Sequence, residues 1–437
     1  MNAYIRPAVL LAATATLLVG TVTGCGSPHA PRQRDSGAVA VKNEARPSAP
    51  AEPAQRPFTL VASGDILSHD SVIQQARADA GGSGYDFRRM LSGARPLVSR
   101  ADLAICHMET VYGRRAGPYT GYPLFRTPPH VAAAIKDTGY EGCSAASNHT
   151  LDDGAAGVGR TLSAMDKAGL KHVGSARSAD ERTRPALMEA GGAKVAQLSY
   201  TYGTNDIPLP ARQPWAVNLI EPERIIADAR AARRAGADIV VTSLHWGTEW
   251  QEAPDQQQLS VAKQLTRSRS DGRKDIDLII GTHAHVPQAY EKVNGTWVVY
   301  GMGDQLAGRM ADRRGSMSSA ARFTFAPPRA KDARNAEGGK GAKGAKGPRA
   351  VRDAKGAGHR ERGESARAAR QRGEWTVKKA EYVPFLVRTT PRIDVLDVSA
   401  EATRASGGPR TDAYRTISKA VLSRGAAQQG LRLGRRP

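Results

Sequence analysis

The sequence predicts an α/β domain with layered sheets. Apolar runs of strand length alternate with helical stretches along most of the chain. The runs stop at Gly, Asp, Asn or His, where α/β proteins display functional groups as a strand gives way to a loop. Turn residues such as Gly236-Ala-Asp238 punctuate the return from helix to strand.

The N-terminus has the layout of an export signal. Arg6 supplies a positive start, Pro7 to Val19 an apolar run too short to span a membrane comfortably, and Val22-Thr-Gly-Cys25 a small-residue site ending in cysteine. Residues 1–25 therefore resemble a lipoprotein-type signal with a lipobox, Cys25 being the lipidated residue. The expected location is the extracytoplasmic face of the cell membrane, lipid-anchored, or secreted if the lipobox is not used. Residues 26–57, rich in Pro, Ala, Ser and charge, read as a disordered tether.

The folded domain is expected over 58–309 and 374–400. Its strands are the runs Phe58 to Asp65, Ala101 to Cys106, Glu141 to Ala146, Lys194 to Tyr200, Asp238 to Leu244, Asp277 to Gly281 and Thr296 to Tyr300. Helices are expected over Thr127 to Thr138, Gly154 to Gly169, Glu221 to Ala235 and Pro254 to Ser268. Residues 310–373 read as a basic low-complexity insert with a remnant strand at Phe323-Thr-Phe325, because the Gly/Lys/Arg-rich remainder buries too little surface to offset chain entropy. Order resumes with the alternating run from Trp375 and an edge segment at Arg392 to Val398, and 401–437 reads as a basic tail. Cys106 and Cys143 lie in apolar runs and read as buried reduced thiols; a bridge between them cannot be judged from sequence.

A formal net charge of +21 on 437 residues suggests a polyanionic neighbour. Much of that charge sits in the insert and the last thirty residues, and the export signal argues against nucleic acid as that partner.

The chemistry gathers at strand ends. Asp65 closes the first run, with His69 four residues on; His107 and Glu109 follow the second; Asn148 and His149 follow the third; His245 closes a fourth, with Glu249 after it; His283 and His285 follow a fifth. Six of the ten histidines fall in these stretches, which histidines satisfied singly in a core would not do. In an extended His283-Ala-His285 both rings would project the same way and approach one ion together. Carboxylate, amide oxygen and imidazole suit one or two borderline divalent ions such as Mn, Fe or Zn. Several neighbours have blander readings: His69 as a loop cap or an outer partner as much as a ligand, Asp152 as the cap of the helix after it, Trp246 and Trp250 as packing, Arg114 and Arg115 as a solvated loop.

Gly64-Asp65 with His69, Glu109, Ser147-Asn-His149 with Asp152 and Gly154, His245-Trp-Gly247 with Glu249, Gly281-x-His283-x-His285-Val-x-Gln288 and Tyr300-x-Met-Gly303 resemble the ordered motifs of CapA-type poly-gamma-glutamate capsule-synthesis proteins, a branch of the calcineurin-like metallophosphoesterases. The resemblance covers roughly Phe58 to Gln305 and the strands after Trp375. It implies a four-layer α/β/β/α metallophosphoesterase-like sandwich with a rim of metal ligands: Asp65, Asn148, His245, His283 and His285, with Glu109 as the bridging carboxylate. It further implies that His149 is the general acid and that Asp65 takes part in catalysis; His69, His107 and Glu249 are additional candidates. His107 stands where the family has Asn, and Asp304-Gln305 replaces its usual Asn-Phe.

The expected function is synthesis, export or anchoring of an anionic capsule polymer by a metal-dependent hydrolase, in a capsule-synthesis complex at the membrane. The rival readings are a general cell-surface metallophosphoesterase acting on phosphoesters and a non-catalytic polyanion-binding lipoprotein.

Overall fold

The computed structural model describes residues 54–328, 373–403 and 407–435. The expected signal segment with Cys25, most of the tether and residues 329–372 of the insert lie outside the described residues. Among the described residues no helix is long and apolar enough to cross a membrane.

Two sheets form the centre. The first holds β1 (Phe58–Ile66), β2 (Leu103–Met108), β3 (Gly142–Ser144), β4 (Lys171–Val173), β13 (Asp304–Leu306), β14 (Met317–Ala326), β15 (Thr376–Arg388), β16 (Asp394–Asp397) and β17 (Leu431–Leu433). Its order is β16-β15-β14-β1-β2-β3-β4, with β13 beside β1 and β17 beside β15. The second runs β11-β12-β10-β7-β6-β5, from β5 (Ala186–Ala190), β6 (Ala193–Thr201), β7 (Ile239–His245), β10 (Leu278–Thr282), β11 (Tyr290–Val293) and β12 (Thr296–Val299). A small hairpin, β8 (Arg269–Ser270) and β9 (Arg273–Lys274), stands apart.

Alternation along each strand builds the layers. Phe58, Leu60 and Ala62 of β1, Leu103 and Ile105 of β2, Ile239 and Val241 of β7, and Leu278 and Ile280 of β10 share one core between the sheets. The intervening residues face outward. Val61, Ala104 and Cys106 pack beneath α1 (Asp70–Asp79), α2 (Arg88–Leu91), α3 (Arg95–Val98), α4 (His130–Thr138) and α5 (Gly154–Ala168). Ala196, Val240 and Ile279 pack beneath α7 (Pro222–Arg234) and α8 (Gln256–Arg267), while the short α6 (Ala179–Thr183) buries no residue. The result is the α/β/β/α sandwich. Helix α8 starts where it does because Asp255 and Gln258 form a capping box.

Two boundaries are corrected. The segment read as a tail from 401 carries helix α9 (Pro409–Leu422) and strand β17. Ala413, Ile417 and Val421 recur every fourth residue and bury in the inter-sheet core, a stripe masked by the surrounding Arg and Lys. The insert likewise begins later than residue 310, because β14 pairs antiparallel with both β1 and β15 and buries Phe323 and Phe325. Ile417→Ala should therefore cost about 2–5 kcal/mol in denaturant unfolding; an unchanged midpoint would mean that 409–422 is peripheral after all.

The cysteines depart from the reduced reading too. Cys106 and Cys143 are disulfide-bonded, 37 residues apart in sequence. Parallel pairing of β2 with β3 sets them side by side, a consequence of register that no sequence spacing reveals.

Candidate metal centre

The site continues the inward-facing rows past the ends of the parallel strands. In β2 the row Leu103, Ile105 runs on to His107 and Glu109; in β7 the row Ile239, Val241 runs on to His245. In β1 the row Phe58, Leu60, Ala62 would reach Gly64, but the register slips between Ala62 and Asp65 and brings Asp65 to the inner face. Gly64 is required there, since a Cβ would overlap the carbonyl oxygen of Gly303. The core thus turns from apolar to ionisable at one end of the sandwich.

Three groupings of ligand atoms, each within 4.8 Å of one another, result: Asp65 with His107 and His245, Asp65 with Glu109 and His285, and Glu249 with His283 and His285. Oδ1 of Asp65 lies 3.6 Å from both His107 Nε2 and His245 Nδ1. Oε1 of Glu109 lies 3.9 Å from His245 Nε2 and 3.7 Å from His285 Nε2. Asp65, Glu109, His107 and His245 are at most 2% exposed. Within this buried cluster Asp65 Oδ1, both carboxylate oxygens of Glu109, His107 Nε2, His283 Nδ1 and Asp304 Oδ2 have no hydrogen-bond partner.

The outer contacts hold the rings in place. His107 Nδ1 bonds Ser144 Oγ at 2.7 Å, His245 Nδ1 bonds Thr282 Oγ1 at 3.0 Å, and His245 Nε2 meets Asn148 Oδ1 at 2.8 Å. The amide nitrogen of Asn148 donates to Asn205 Oδ1. His285 Nδ1 donates to Asp304 Oδ1 at 2.8 Å, and Asp304 lies in register with Asp65 on β13. The Asp at 304 thereby acquires an account: it orients His285, as carboxylates commonly orient metal-binding imidazoles.

The His-x-His pair is not extended. His283 has φ 95° and His285 φ 54°, left-handed conformations that turn the two rings toward one cluster, with centroids 6.0 Å apart. Such strain in non-glycine residues at the end of a buried strand concentrates at functional sites. The His283 N–H donates to Asp65 Oδ2, so this turn is tied to β1.

Burial, then the neighbouring Asp304, pushes the Asp65 carboxyl up to about 7. Burial raises Glu109 well above the carboxylate range. Burial lowers His107 and His283 to about 3, and His245 well below its usual value. His285 alone rises: burial opposes its charge, but Asp304 and Glu109 outweigh it. At 3.6–3.9 Å these carboxylate oxygens and ring nitrogens make no hydrogen bond to one another, and together they form a donor set that a divalent cation would satisfy. The residues present fit one or two such ions.

At the rim, His149 Nδ1 donates to Asp152 Oδ2 at 2.8 Å, and the same oxygen accepts the Phe125 N–H. Asp152 therefore fixes His149 rather than capping α5, whose N-cap position is Asp153. His69 lies outside the three groupings, its Nδ1 accepting the Gly308 N–H. Trp246 is fully buried and donates to the Tyr300 carbonyl, a packing role. Tyr202 lies over His283 at 4.5 Å, and Tyr122 beside Phe125 at 6.4 Å, forming a partly exposed aromatic margin.

Residues 59–309 match the family described as Bacterial capsule synthesis protein PGA_cap. The chain is 32% identical over 171 residues to the PGA biosynthesis protein CapA of Bacillus subtilis (strain 168), covering 39% of this chain and 43% of that protein. It is 27% identical over 175 residues to the capsule biosynthesis protein CapA of Bacillus anthracis, covering 39% of this chain and 41% of that one. The match thus spans less than half the length of these curated relatives. Among solved structures, the calcineurin-like phosphoesterase YfkN of Bacillus subtilis superposes with a TM-score of 0.37 and 12% identity, over 84% of this chain and 98% of that chain.

Proposed function

The chain belongs to the bacterial capsule synthesis protein PGA_cap family, and we propose that it is a lipid-anchored, extracytoplasmic hydrolase that uses a dinuclear metal centre to process an anionic surface polymer of the poly-gamma-glutamate type. The observation that carries the hydrolase reading is the set of buried, unpartnered carboxylate and imidazole atoms around Asp65. Asp65, Glu109, His245, His283 and His285 would hold the ions, with Asn148 in contact with His245. Divalent ions held there supply Lewis acidity, polarising an acyl or phosphoryl oxygen and making water a competent nucleophile near neutral pH.

The protein's own groups do the rest. The carboxylates of Asp65 and Glu109 balance the cationic charge, Asp304 keeps His285 in one orientation, and the two sheets exclude bulk water from behind the cluster. Asp152 holds the Nδ1 proton of His149, leaving Nε2 to carry a proton to a departing oxygen or nitrogen.

The test measures bound metal together with hydrolysis of a generic aryl phosphate and of poly-gamma-glutamate, comparing wild type with His285→Ala. Loss of bound metal and of hydrolysis in His285→Ala supports the reading; a metal-free, inactive wild type defeats it. Aryl-phosphate turnover with no action on the polymer moves the substrate to phosphoesters of the cell surface. For the anchor, Cys25→Ser should shift the protein from the membrane fraction to the medium.

A further inference from the structure

We propose that His107 is itself a metal ligand and that it makes the centre's two positions unlike: Asp65/His107/His245 prefers a borderline ion such as zinc, and Asp65/Glu109/His285 a harder one such as manganese. The inference rests on the metal-centre reading above and adds the role of His107 and the division of labour.

The geometry fixes which nitrogen of His107 faces the cluster: Nδ1 is bound to Ser144 Oγ at 2.7 Å, and Nε2 faces Asp65. With the Ser144 hydroxyl proton directed to the Cys106 carbonyl at 3.3 Å, its oxygen accepts from His107 Nδ1–H, the tautomer that leaves a lone pair on Nε2. That nitrogen is buried, has no partner, and points at the equally unpartnered Oδ1 of Asp65, 3.6 Å away. Two acceptors facing each other in a buried site repel unless a cation lies between them.

A second imidazole completes the position. Asn148 donates an amide proton to Asn205 and turns its oxygen to His245 Nε2, which makes that nitrogen the protonated one. His245 Nδ1 is then the lone-pair nitrogen, 3.6 Å from the same Asp65 oxygen; without an ion it accepts the Thr282 hydroxyl proton, which a bound ion would displace. The rings of His107 and His245 stack at 4.7 Å. The disulfide between Cys106 and Cys143 ties β2 to β3 one residue before His107 and Ser144, which holds that pair in register.

The two positions then differ in donor chemistry. One offers two nitrogens and one oxygen; the other offers two carboxylates and one imidazole. Nitrogen-rich sites favour zinc over manganese more strongly than oxygen-rich sites do.

The experiment loads the metal-stripped full-length protein with equimolar zinc and manganese, dialyses it, and measures both by mass spectrometry, alongside a cobalt titration followed by visible absorption. Wild type should retain about one of each ion per chain. His107→Ala and His107→Asn should weaken zinc binding by roughly 10–100-fold or more, with an altered cobalt spectrum and the manganese position still filled. Ser144→Ala should do the same to a smaller extent, and circular dichroism checks that each variant is folded. Unchanged zinc affinity and cobalt spectrum in folded His107→Ala, while His285→Ala loses an ion, would overturn this inference and leave the metal-centre reading intact. A wild type that binds neither ion overturns both.

Discussion

Asp65→Asn should empty both metal positions at once and lower any hydrolysis by roughly 10³-fold or more. The residue belongs to two of the three ligand groupings, and an amide cannot supply the charge that both positions draw on. Metal stabilisation of a reacting oxygen is worth several kcal/mol, and each 1.36 kcal/mol is about tenfold in rate. Metal analysis and turnover check it directly; two bound ions in the Asn variant would remove Asp65 from its shared role.

The same substitution should strengthen the metal-free fold, and the sign follows from linkage. Burial and Asp304 raise the Asp65 carboxyl from 3.8 to about 7, so the folded protein binds that proton more tightly than the unfolded chain. The contribution of this group to stability is therefore complete below pH 3.8 and is lost as pH rises to about 7. Asparagine carries no such penalty. In chelator, the melting temperature of Asp65→Asn minus that of wild type should grow across this interval and then level off. Parallel pH profiles for the two proteins would show that Asp65 is not forced toward its neutral form. With metal present the order should reverse, because the wild-type carboxylate then has a cation to face.

His149→Ala should give a different pattern, a fall in kcat of about 10²–10⁴ with bound metal retained. The ring stands at the rim, its Nδ1 proton held by Asp152 and its plane nearly perpendicular to Phe125 at 4.8 Å, outside the three ligand groupings. A group that delivers a proton to the departing atom matters most when that atom is basic. The loss should therefore be large for alkyl phosphates or amides and small for an aryl phosphate with an acidic phenol. Equal losses across that series would exclude proton delivery. Asp152→Asn should reproduce part of the defect, since it disturbs the tautomer of His149 while leaving the ring in place.

The histidines and carboxylates at strand ends were legible because chemistry of this kind leaves a local mark: apolar alternation that stops abruptly at Asp65, at His107 and Glu109, and at His245. Less local features were not. Asp304 could be seen in the sequence as unusual, but its purpose needs β13 to lie parallel to β1, which sets it opposite Asp65 and beside His285. Asp152 looked like a helix cap because its distance along the chain from Phe125 conceals that it gathers both the Phe125 N–H and the His149 ring. The stripe of Ala413, Ile417 and Val421 was hidden by composition, since a strongly basic segment can still bury one narrow face.

By itself the sequence determined the alternation of strands and helices, the strand-end positions of the ionisable residues, and which residue types could reach a metal. Those properties depend on neighbours two to four positions apart. Tertiary structure alone decided that Asp65 reaches the inner face, through a slip in register against β2; that His283 and His285 converge through left-handed backbone rather than an extended run; and that Cys106 meets Cys143. The first and last are set by pairing between strands far apart in the chain, where a shift of one residue turns a side chain to the opposite face, and the second belongs to a loop that the His283 N–H ties to Asp65.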